Sequence, residues 1–313
     1  MVKDQKNERP ENLSPLEWVS NECYHFLGCR VRVRATSKAL ADQICRLMRS
    51  FPVSAGCNQK SDLTLSFVQT WPSPASSYGQ TYVYCNDQPI GVAEEGWHLF
   101  RLFEWQLDIF LAEAVKKYFL LHAGAVAREG TGIILPGISG NGKSSLTLAL
   151  VQHGFTYFSD ELAVVDPVTA QLHPFPKPFS LKDPLIFPDL ARRHNIWFGP
   201  DPTAAASRRA VDPEYKPVWY VHPEDVTPQP LTDKPAPIRY IIFPKYEPEK
   251  KPELQPLSPN QVMRKLVENS VNFAALGPDG LPLLGRLVKE GRSFTMTTNG
   301  PQATAELITK TLL

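Results

Sequence analysis

The chain has 313 residues, of which 42% are hydrophobic and 21% are charged, and its formal net charge is +1. These proportions are typical of a soluble globular protein with one large or two ordinary domains. Because no basic or acidic block occurs, neither nucleic acid nor a membrane surface is an expected partner.

Residues 1–115 are predicted to form a small α+β domain. Apolar and polar residues alternate over 29–36, which predicts a strand, and apolar residues recur at helical spacing over 37–51. Two further strands are predicted in "DLTLSFVQT" and "QTYVYCN", and one or two amphipathic helices between Trp97 and Leu120. No motif here carries obvious chemistry, so acceptor docking and assembly of a homo-oligomer are the hypotheses for this domain.

The first third of the chain also holds all five cysteines, at no recognisable metal-ligand spacing. An odd number of scattered cysteines argues against a disulfide framework and favours a reducing cytoplasm. The polar N-terminus lacks the apolar segment of a signal peptide, and no apolar stretch is long enough to span a membrane. The cysteines are Cys23, Cys29, Cys45, Cys57 and Cys85.

Residues 116–313 are predicted to form a second, α/β domain. It begins with two apolar strands, "FLLHAGAVA" and "GIILP", separated by a hairpin-like turn in "AREGTG". The helix "SSLTLALVQH" follows, and then two short strands flank an acidic pair in "FTYFSDELAVVDP". After a proline-rich stretch come a buried strand at 238–246, a helix at 258–273 and a closing helix at the C-terminus.

The segment "GISGNGKSS" directly follows the second apolar strand and opens the helix. Over residues 137–144 it matches Gly-x-x-x-x-Gly-Lys-[Ser/Thr], the P-loop pattern. Glycines let such a loop turn several backbone N–H groups toward a phosphate, and the helix adds the positive end of its dipole. Lys143 would reach the β- and γ-phosphates, and the Ser144 hydroxyl would bind Mg²⁺. The sequence therefore predicts an ATP and Mg²⁺ site, rather than a chance glycine turn, at Gly137, Ser139, Gly140, Asn141, Gly142, Lys143, Ser144 and Ser145.

The acidic pair, Asp160 and Glu161, begins seventeen positions after Lys143, so one helix and one turn separate it from the P-loop. Mg²⁺ needs oxygen ligands, and phosphoryl transfer to a hydroxyl needs a base for its proton. Two adjacent carboxylates at a strand end can divide these roles; the alternative is a solvated pair without chemical function. No Asn-Lys-x-Asp motif occurs in the chain, which disfavours a Ras-like GTPase.

Around these motifs the sequence resembles the bacterial HPr kinase/phosphorylase family, whose ATP domain is related to phosphoenolpyruvate carboxykinase. His122 in "LLHAGAVA", fifteen positions before Gly137, is followed by the P-loop and the acidic pair at spacings similar to that family's. The likeness extends over residues 118–166. It implies an α/β P-loop kinase domain of the HPr kinase/phosphoenolpyruvate carboxykinase type with a smaller N-terminal α+β domain.

A broader likeness exists to the HPr-kinase-related proteins often found beside peptide-modification genes. Those proteins typically show "LLHA", a P-loop, "SDE", a "PxPxPxSLK" stretch and a late "NSxN" element. This chain has "PFPKPFSLK" at 174–182 and "ENSVNF" at 268–273. Because members that tailor peptides phosphorylate a serine hydroxyl, the resemblance implies a serine kinase acting on a peptide or small protein.

The resemblance also implies roles for individual residues. Asp160 matches the family's catalytic acid, the general base, while Glu161 stands where the family more often has a second aspartate. The implied Mg²⁺ ligands are Ser144, Asp160 and Glu161. His122 matches a histidine near the phosphates and joins Lys143 in the implied catalytic group; the alternative for His122 is a core residue on an apolar strand.

Six further residues are weaker candidates for binding phosphate or the acceptor. Two lysines in the 174–182 stretch are equally well explained as exposed loop residues. Two arginines suit phosphate charge, but solvated arginines of a flexible loop are the commoner case. Two asparagines in "ENSVNF" are explained as well by the capping or packing of a helix. The residues are Lys177, Lys182, Arg208, Arg209, Asn269 and Asn272.

Three functions remain open from the sequence. The first is an ATP-dependent serine kinase for a peptide or small protein, and the second is a kinase for a free amino acid or sugar-like alcohol. The third is a nucleotide-binding regulator without transfer activity, which has less need of a base beside the γ-phosphate. The N-terminal domain does not resemble that of HPr kinase, and no stretch clearly matches the one linked there to phosphorylase activity. HPr itself and the reverse reaction are therefore not predicted.

Overall fold

The computed structural model describes most of the chain, as residues 10–55, 60–70, 80–93, 96–193, 196–212 and 214–312. Cys57 and the polar segment 1–9, on which part of the sequence analysis relied, lie outside these residues. Within them, the other four cysteines form no disulfide. No helix in the described ranges has both the length and the apolar character needed to cross a membrane.

The chain folds as two compact units. The first comprises Met1–Ala114 and Lys182–Tyr220, and the second comprises Val115–Leu181 and Val221–Leu313. The predicted domains 1–115 and 116–313 have one boundary, whereas the chain crosses between the two units three times. Residues 182–220, within the second predicted domain, belong to the first unit, and the proline-rich composition of this stretch carries no signal of where it packs.

The first unit begins with a six-stranded sheet and two helices. Its elements are β1 (Ser20–Phe26), β2 (Cys29–Ala35), α1 (Lys38–Leu47), β3 (Val53–Ala55), β4 (Leu63–Gln69), β5 (Thr81–Cys85), β6 (Gln88–Ala93) and α2 (Gly96–Ala114). The strand order is β3-β1-β2-β4-β5-β6, with β2 and β4 parallel and the other neighbours antiparallel. Alternate residues of β2, including Val31 and Val33, are buried, as is the apolar side of α1 around Ile44. The strand and helix predicted from these periodicities are confirmed.

The chain enters the second unit through the predicted hairpin and helix. The elements in order are β7 (Phe119–Arg128), β8 (Thr131–Pro136), α3 (Lys143–Gln152), β9 (Thr156–Ser159), β10 (Leu162–Val165), β11 (Gln171–His173) and β12 (Phe179–Leu181). β7 and β8 pair antiparallel across a turn in which Glu129 and Gly130 both have positive φ angles. This is the backbone geometry of a tight two-residue hairpin, so the predicted turn is confirmed.

Residues 182–220 return to the first unit through short helices and strands. The elements are α4 (Pro188–Ala191), β13 (Trp197–Phe198), α5 (Pro202–Val211) and β14 (Trp219–Val221). Arg208 and Arg209, predicted to lie in a flexible loop, lie instead in the last turn of α5. Asp201 caps this helix by accepting the Ala204 N–H at 2.8 Å, and a proline at the first helical position fixes its start.

The rest of the second unit completes a sheet with helices on both faces. Its elements are β15 (Ala236–Tyr246), β16 (Glu253–Pro256), α6 (Pro259–Glu268), α7 (Gly280–Glu290), β17 (Arg292–Thr298) and α8 (Pro301–Leu312). The strand order is β11-β10-β7-β8-β15-β17-β16, and β9 also pairs with β7. β15 is parallel to β8 and β17, and the remaining pairs are antiparallel.

A continuous hydrophobic core holds α6 and α7 against one face of this sheet. Leu266 of α6 and Leu284 of α7 belong to the same buried cluster as Ala123 and Ala125 of β7. Gly124 lies between those two alanines and contacts α3, so α3, which packs with α8, lies on the opposite face. The second unit is therefore an α/β structure, as expected from the sequence.

Candidate functional site

The loop between β8 and α3 has a backbone shape suited to a phosphate. Gly140 and Gly142 have φ angles of +96° and +81°, which L side chains rarely adopt. A Cβ atom added at either position would meet nothing within 4 Å, so the backbone conformation, not space, requires glycine there. Gly142 occupies the N-cap position of α3 without a side chain to cap it. The N–H groups of the first turn are therefore left facing the loop.

Lys143 is the first residue of α3 and reaches back across this loop. Its side chain is buried, and its Nζ donates a hydrogen bond to the Ile138 carbonyl at 3.3 Å. The first N–H of the loop donates to the carbonyl of His122 at 3.4 Å, which joins the loop to β7. All the predicted nucleotide-binding residues therefore lie in this loop and the first turn of α3, at Gly137, Ser139, Gly140, Asn141, Gly142, Lys143, Ser144 and Ser145.

The acidic pair lies at the break between β9 and β10, both of which pair with β7. β9 shifts its register against β7 by one residue, but the pairs immediately on the two sides of the break share one register, which places Asp160 across from Gly124. One residue further on, the Ala123 N–H donates to the Glu161 carbonyl at 3.1 Å. The Ser159 hydroxyl accepts a backbone N–H three residues later at 3.1 Å and closes the turn. Since cross-strand neighbours share a face of a sheet, Asp160 lies on the α3 face.

Asp160 is fully buried, with 0% of its surface exposed. Its Oδ1 lies 3.3 Å from the Tyr157 hydroxyl, and its Oδ2 accepts the Ser180 N–H at 3.1 Å. Neighbouring Glu161 keeps 29% of its side chain exposed. The alternative of a solvated acidic pair is therefore wrong for Asp160, whose carboxylate is held in a defined orientation by its hydrogen bonds.

His122 lies between the phosphate loop and the acidic pair. Its carbonyl accepts the Gly137 N–H on one side, and its Nε2 lies 3.4 Å from Glu161 Oε1 on the other. About a third of the His122 side chain is exposed, so it is not enclosed in the core. The exposed parts of the two side chains lie beside the phosphate loop, while the His122 Nε2 atom that faces Glu161 is itself buried.

Asn269 and Asn272 anchor β7 and do not reach into the phosphate loop. The Asn269 carbonyl accepts the His122 N–H at 2.8 Å. The buried Asn272 amide accepts the Leu120 N–H at 2.9 Å and donates to the carbonyls of Val115 and Tyr118 at 2.8 and 2.9 Å. These contacts fix the strand that carries His122. Helix capping, the alternative for "ENSVNF", is confirmed for Asn269, which is the C-cap of α6 and whose Nδ2 donates to the Lys265 carbonyl at 2.7 Å.

The two candidate lysines of the 174–182 stretch have different surroundings. Lys177 is only 1% exposed, and its carbonyl accepts the Tyr157 hydroxyl at 2.8 Å. The exposed-loop alternative is therefore wrong for Lys177. Lys182 is exposed and lies in the first unit, where its carbonyl accepts Arg209 Nη2 at 2.5 Å.

Both candidate arginines have structural contacts within the first unit. The Arg208 guanidinium lies 3.9 Å from the centre of the Tyr215 ring, and that of Arg209 lies 5.4 Å from the Trp219 ring. Arginine stacks on aromatic faces in this way because its planar cation is weakly hydrated. These contacts stabilise the returning segment.

Two features of the site were not predicted from the sequence: the contact of Tyr157 with Asp160, and the close approach of α3 to β7. The ideal Cβ position of Gly124 lies only 2.2 Å from Thr147 Oγ1, so a side chain there would clash with this residue of α3. A glycine in the middle of an apolar strand is a known sign of close approach by another backbone or side chain. The sequence held no comparable signal for Tyr157.

The candidate oxygen ligands for a cation are the Ser144 hydroxyl and the carboxylates of Asp160 and Glu161. Within the described residues, no group of three or more His, Cys, Asp or Glu side chains converges on a single point. Mg²⁺ commonly takes one or two protein carboxylates and completes its shell with phosphate oxygens and water. The donor chemistry therefore suits Mg²⁺ carried by a nucleotide.

Comparison with known proteins gives one partial likeness. A stretch of 62 residues is 34% identical to the HPr kinase/phosphorylase of Malacoplasma penetrans strain HF-2. The match covers 20% of this chain and 21% of that protein, so the chain spans about a fifth of the length of the curated relative it matches. No family model matches the chain.

Proposed function

We propose that this protein is an ATP-dependent kinase that transfers the γ-phosphate to a hydroxyl, most favourably a serine of a peptide or small protein. The observation that carries the proposal is the order of strands β8, β7 and β9/β10. It brings the start of the phosphate loop, His122 and the acidic pair side by side. Adjacent strands lie about 4.8 Å apart, so the loop and the pair are about 10 Å apart, with His122 between them.

Asp160 is the general base of this proposal. It takes the proton from the acceptor hydroxyl while that oxygen attacks the γ-phosphorus. The bond from phosphorus to the bridging oxygen breaks, and ADP leaves with that electron pair. Lys143 and the N–H groups of the loop stabilise the charge on the transferred group.

Mg²⁺, when bound, would neutralise charge on the β- and γ-phosphates. Ser144 and Glu161 would hold it, with Asp160 as a further ligand. Glu161 suits this role because its side chain is partly exposed and lies beside His122. The glycines at positive φ and the uncapped start of α3 fit a bound triphosphate.

The second unit, in this proposal, is a P-loop kinase domain of the HPr kinase/phosphoenolpyruvate carboxykinase type. The first unit docks the acceptor or supports assembly of a homo-oligomer, and the enzyme works in the cytoplasm. The 34% identity to an HPr kinase/phosphorylase supports the nucleotide chemistry more than it supports any particular acceptor.

Incubation with γ-labelled ATP and Mg²⁺ tests the proposal, with serine-containing peptides, free serine or no acceptor. Label on a peptide supports it, and label on free serine or another small alcohol supports a small-molecule kinase instead. Asp160→Asn is expected to lower labelling by about 10²- to 10⁴-fold, whereas Glu306→Gln, which removes an exposed carboxylate from α8, is the matched control. ATP binding without transfer to any acceptor, unaffected by Asp160→Asn, would favour a regulator.

A further inference from the structure

Tyr157 is the neighbour of Asp160 to which the proposed mechanism gives no role. Its ring is buried in β9, and its hydroxyl lies 2.8 Å from the Lys177 carbonyl and 3.3 Å from Asp160 Oδ1. A phenol has one proton to donate, and both of these neighbours are acceptors. The hydroxyl therefore connects the Asp160 carboxylate to the backbone of the segment that carries Lys177.

That segment, Phe175–Leu181, is called here the clamp segment. The Phe175 N–H donates to the Phe158 carbonyl at 2.9 Å, which anchors its start beside β9. The Phe179 ring packs on Tyr157 with ring centres 4.3 Å apart, and both rings are buried. Tyr157 is thus held by the clamp segment at its ring and at its hydroxyl.

The clamp segment also contacts the other oxygen of Asp160, since the Ser180 N–H donates to Oδ2 at 3.1 Å. Each carboxylate oxygen therefore has its own polar neighbour, one from the backbone and one from Tyr157. Rotation about the Cβ–Cγ bond of an aspartate is otherwise soft, because that torsion has broad minima. Two fixed neighbours restrict this rotation.

We propose that Tyr157 is a positioning residue for Asp160: its hydroxyl, held by the clamp segment, fixes the orientation in which the carboxylate meets the acceptor hydroxyl. The inference rests on the proposed function, because Tyr157 acts through Asp160 and does not touch a substrate. A base must present its lone pair within about 10–20° of the productive direction, so a loosened carboxylate lowers the rate of transfer and leaves ATP binding unchanged.

Tyr157→Phe tests the inference because it removes only the hydroxyl and keeps the ring on Phe179. We expect kcat for labelled transfer to fall about 10- to 100-fold while KM for ATP stays unchanged. Tyr240→Phe is the matched control, since it removes another hydroxyl bonded to a backbone carbonyl in the same unit, 2.7 Å from Leu312 O. Its kcat is expected to equal that of the wild type.

A double-mutant comparison separates positioning from simple packing. In an Asp160→Asn background, followed over long incubations, Tyr157→Phe is expected to have no further effect, because its target carboxylate is gone. An additive loss, or an unchanged kcat in Tyr157→Phe alone, would overturn the inference.

Phe179→Leu is the second variant should Tyr157→Phe prove unfolded in a thermal melt. It keeps the hydroxyl and loosens the ring, and kcat is expected to fall by a smaller factor with KM for ATP unchanged. An unchanged kcat in this variant would then overturn the inference. Absence of transfer by the wild type, by contrast, counts against the proposed function and is seen before any variant is compared.

Discussion

The phosphate loop and the surroundings of Asp160 lie beside the same stretch of β7, but the chain holds them in different ways. The loop is exposed over residues 138–140, and its shape depends on glycines at positive φ and on bonds to backbone carbonyls. Asp160 is fully buried and is held by Tyr157 and by the clamp segment. A phosphate-binding loop can therefore be formed by neighbouring backbone residues. A buried carboxylate is oriented by hydrogen bonds from other parts of the chain.

The largest expected effects are on two different quantities: the transfer rate for a change at Asp160, and ATP affinity for a change in the phosphate loop. Asp160→Asn is expected to lower the transfer rate by about 10²- to 10⁴-fold, because a general base is lost, and to leave the affinity for ATP titrated without Mg²⁺ nearly unchanged. Lys143→Met is expected to weaken ATP binding by about 10- to 100-fold, because a charge-assisted hydrogen bond to phosphate is lost. Calorimetric titration with ATP and labelled transfer measure the two quantities separately. If the Asp160→Asn variant folds but no longer binds ATP, Asp160 is needed for nucleotide binding and the two regions do not have separate functions.

Asn272→Ala tests whether the Asn272 side chain stabilises β7, the strand beside which both regions lie. The change removes three hydrogen bonds to buried backbone groups, and at about 1 kcal/mol each it is expected to lower the free energy of unfolding by about 3 kcal/mol. Urea unfolding measures this loss. Asn260→Ala, on the exposed side of α6, is the control and is expected to change little. Equal stability of the two variants would show that Asn272 does not anchor the strand.

Gly124→Ala tests the contact that seats α3 against β7. The new Cβ would lie 2.2 Å from Thr147 Oγ1, and overpacking of this kind is expected to cost about 1–3 kcal/mol of unfolding free energy. Thr147→Ala is expected to be tolerated, since Oγ1 is buried with no hydrogen-bond partner among the described residues. The double variant should regain most of the lost stability. If it does not, the clash is not the cause.

Gly140→Ala probes the loop alone and has the smallest expected effect on stability. The site is open to solvent, so the cost arises only from a φ of +96°, about 1–2 kcal/mol for an L residue. We expect ATP affinity to fall about tenfold, because the loop changes shape, while the melting temperature shifts by a few degrees at most. Gly285→Ala in α7 is the control, at a position with open space and no positive φ. Equal ATP affinity in both variants would show that this glycine is not needed for phosphate binding.

The loop and its flanking elements could be predicted from the sequence because their signals are local. The apolar run before Gly137, the glycines and the lysine at the helix start all lie within about ten residues. The same holds for the hairpin between β7 and β8 and for the two short strands around Asp160.

The remaining features depend on contacts between residues that are distant in the chain. Asn272 bonds to Val115, 157 positions away, and nothing in "ENSVNF" identifies that partner. Lys177 is buried in a proline-rich stretch, and its carbonyl accepts the hydroxyl of Tyr157, 20 positions earlier. The helix at Arg208 is a different case, because its start signal, Asp201 followed by a proline, is local and readable in the sequence. Local composition suggested exposed loops in both places.

The most direct test of the account is a crystal structure with a non-hydrolysable ATP analogue and Mg²⁺. The account predicts the triphosphate against residues 137–145, with the γ-phosphate facing Asp160. The gap between them should admit an acceptor oxygen about 3 Å from each. A triphosphate bound away from the loop, or an Asp160 carboxylate directed away from the γ-phosphate, would contradict it.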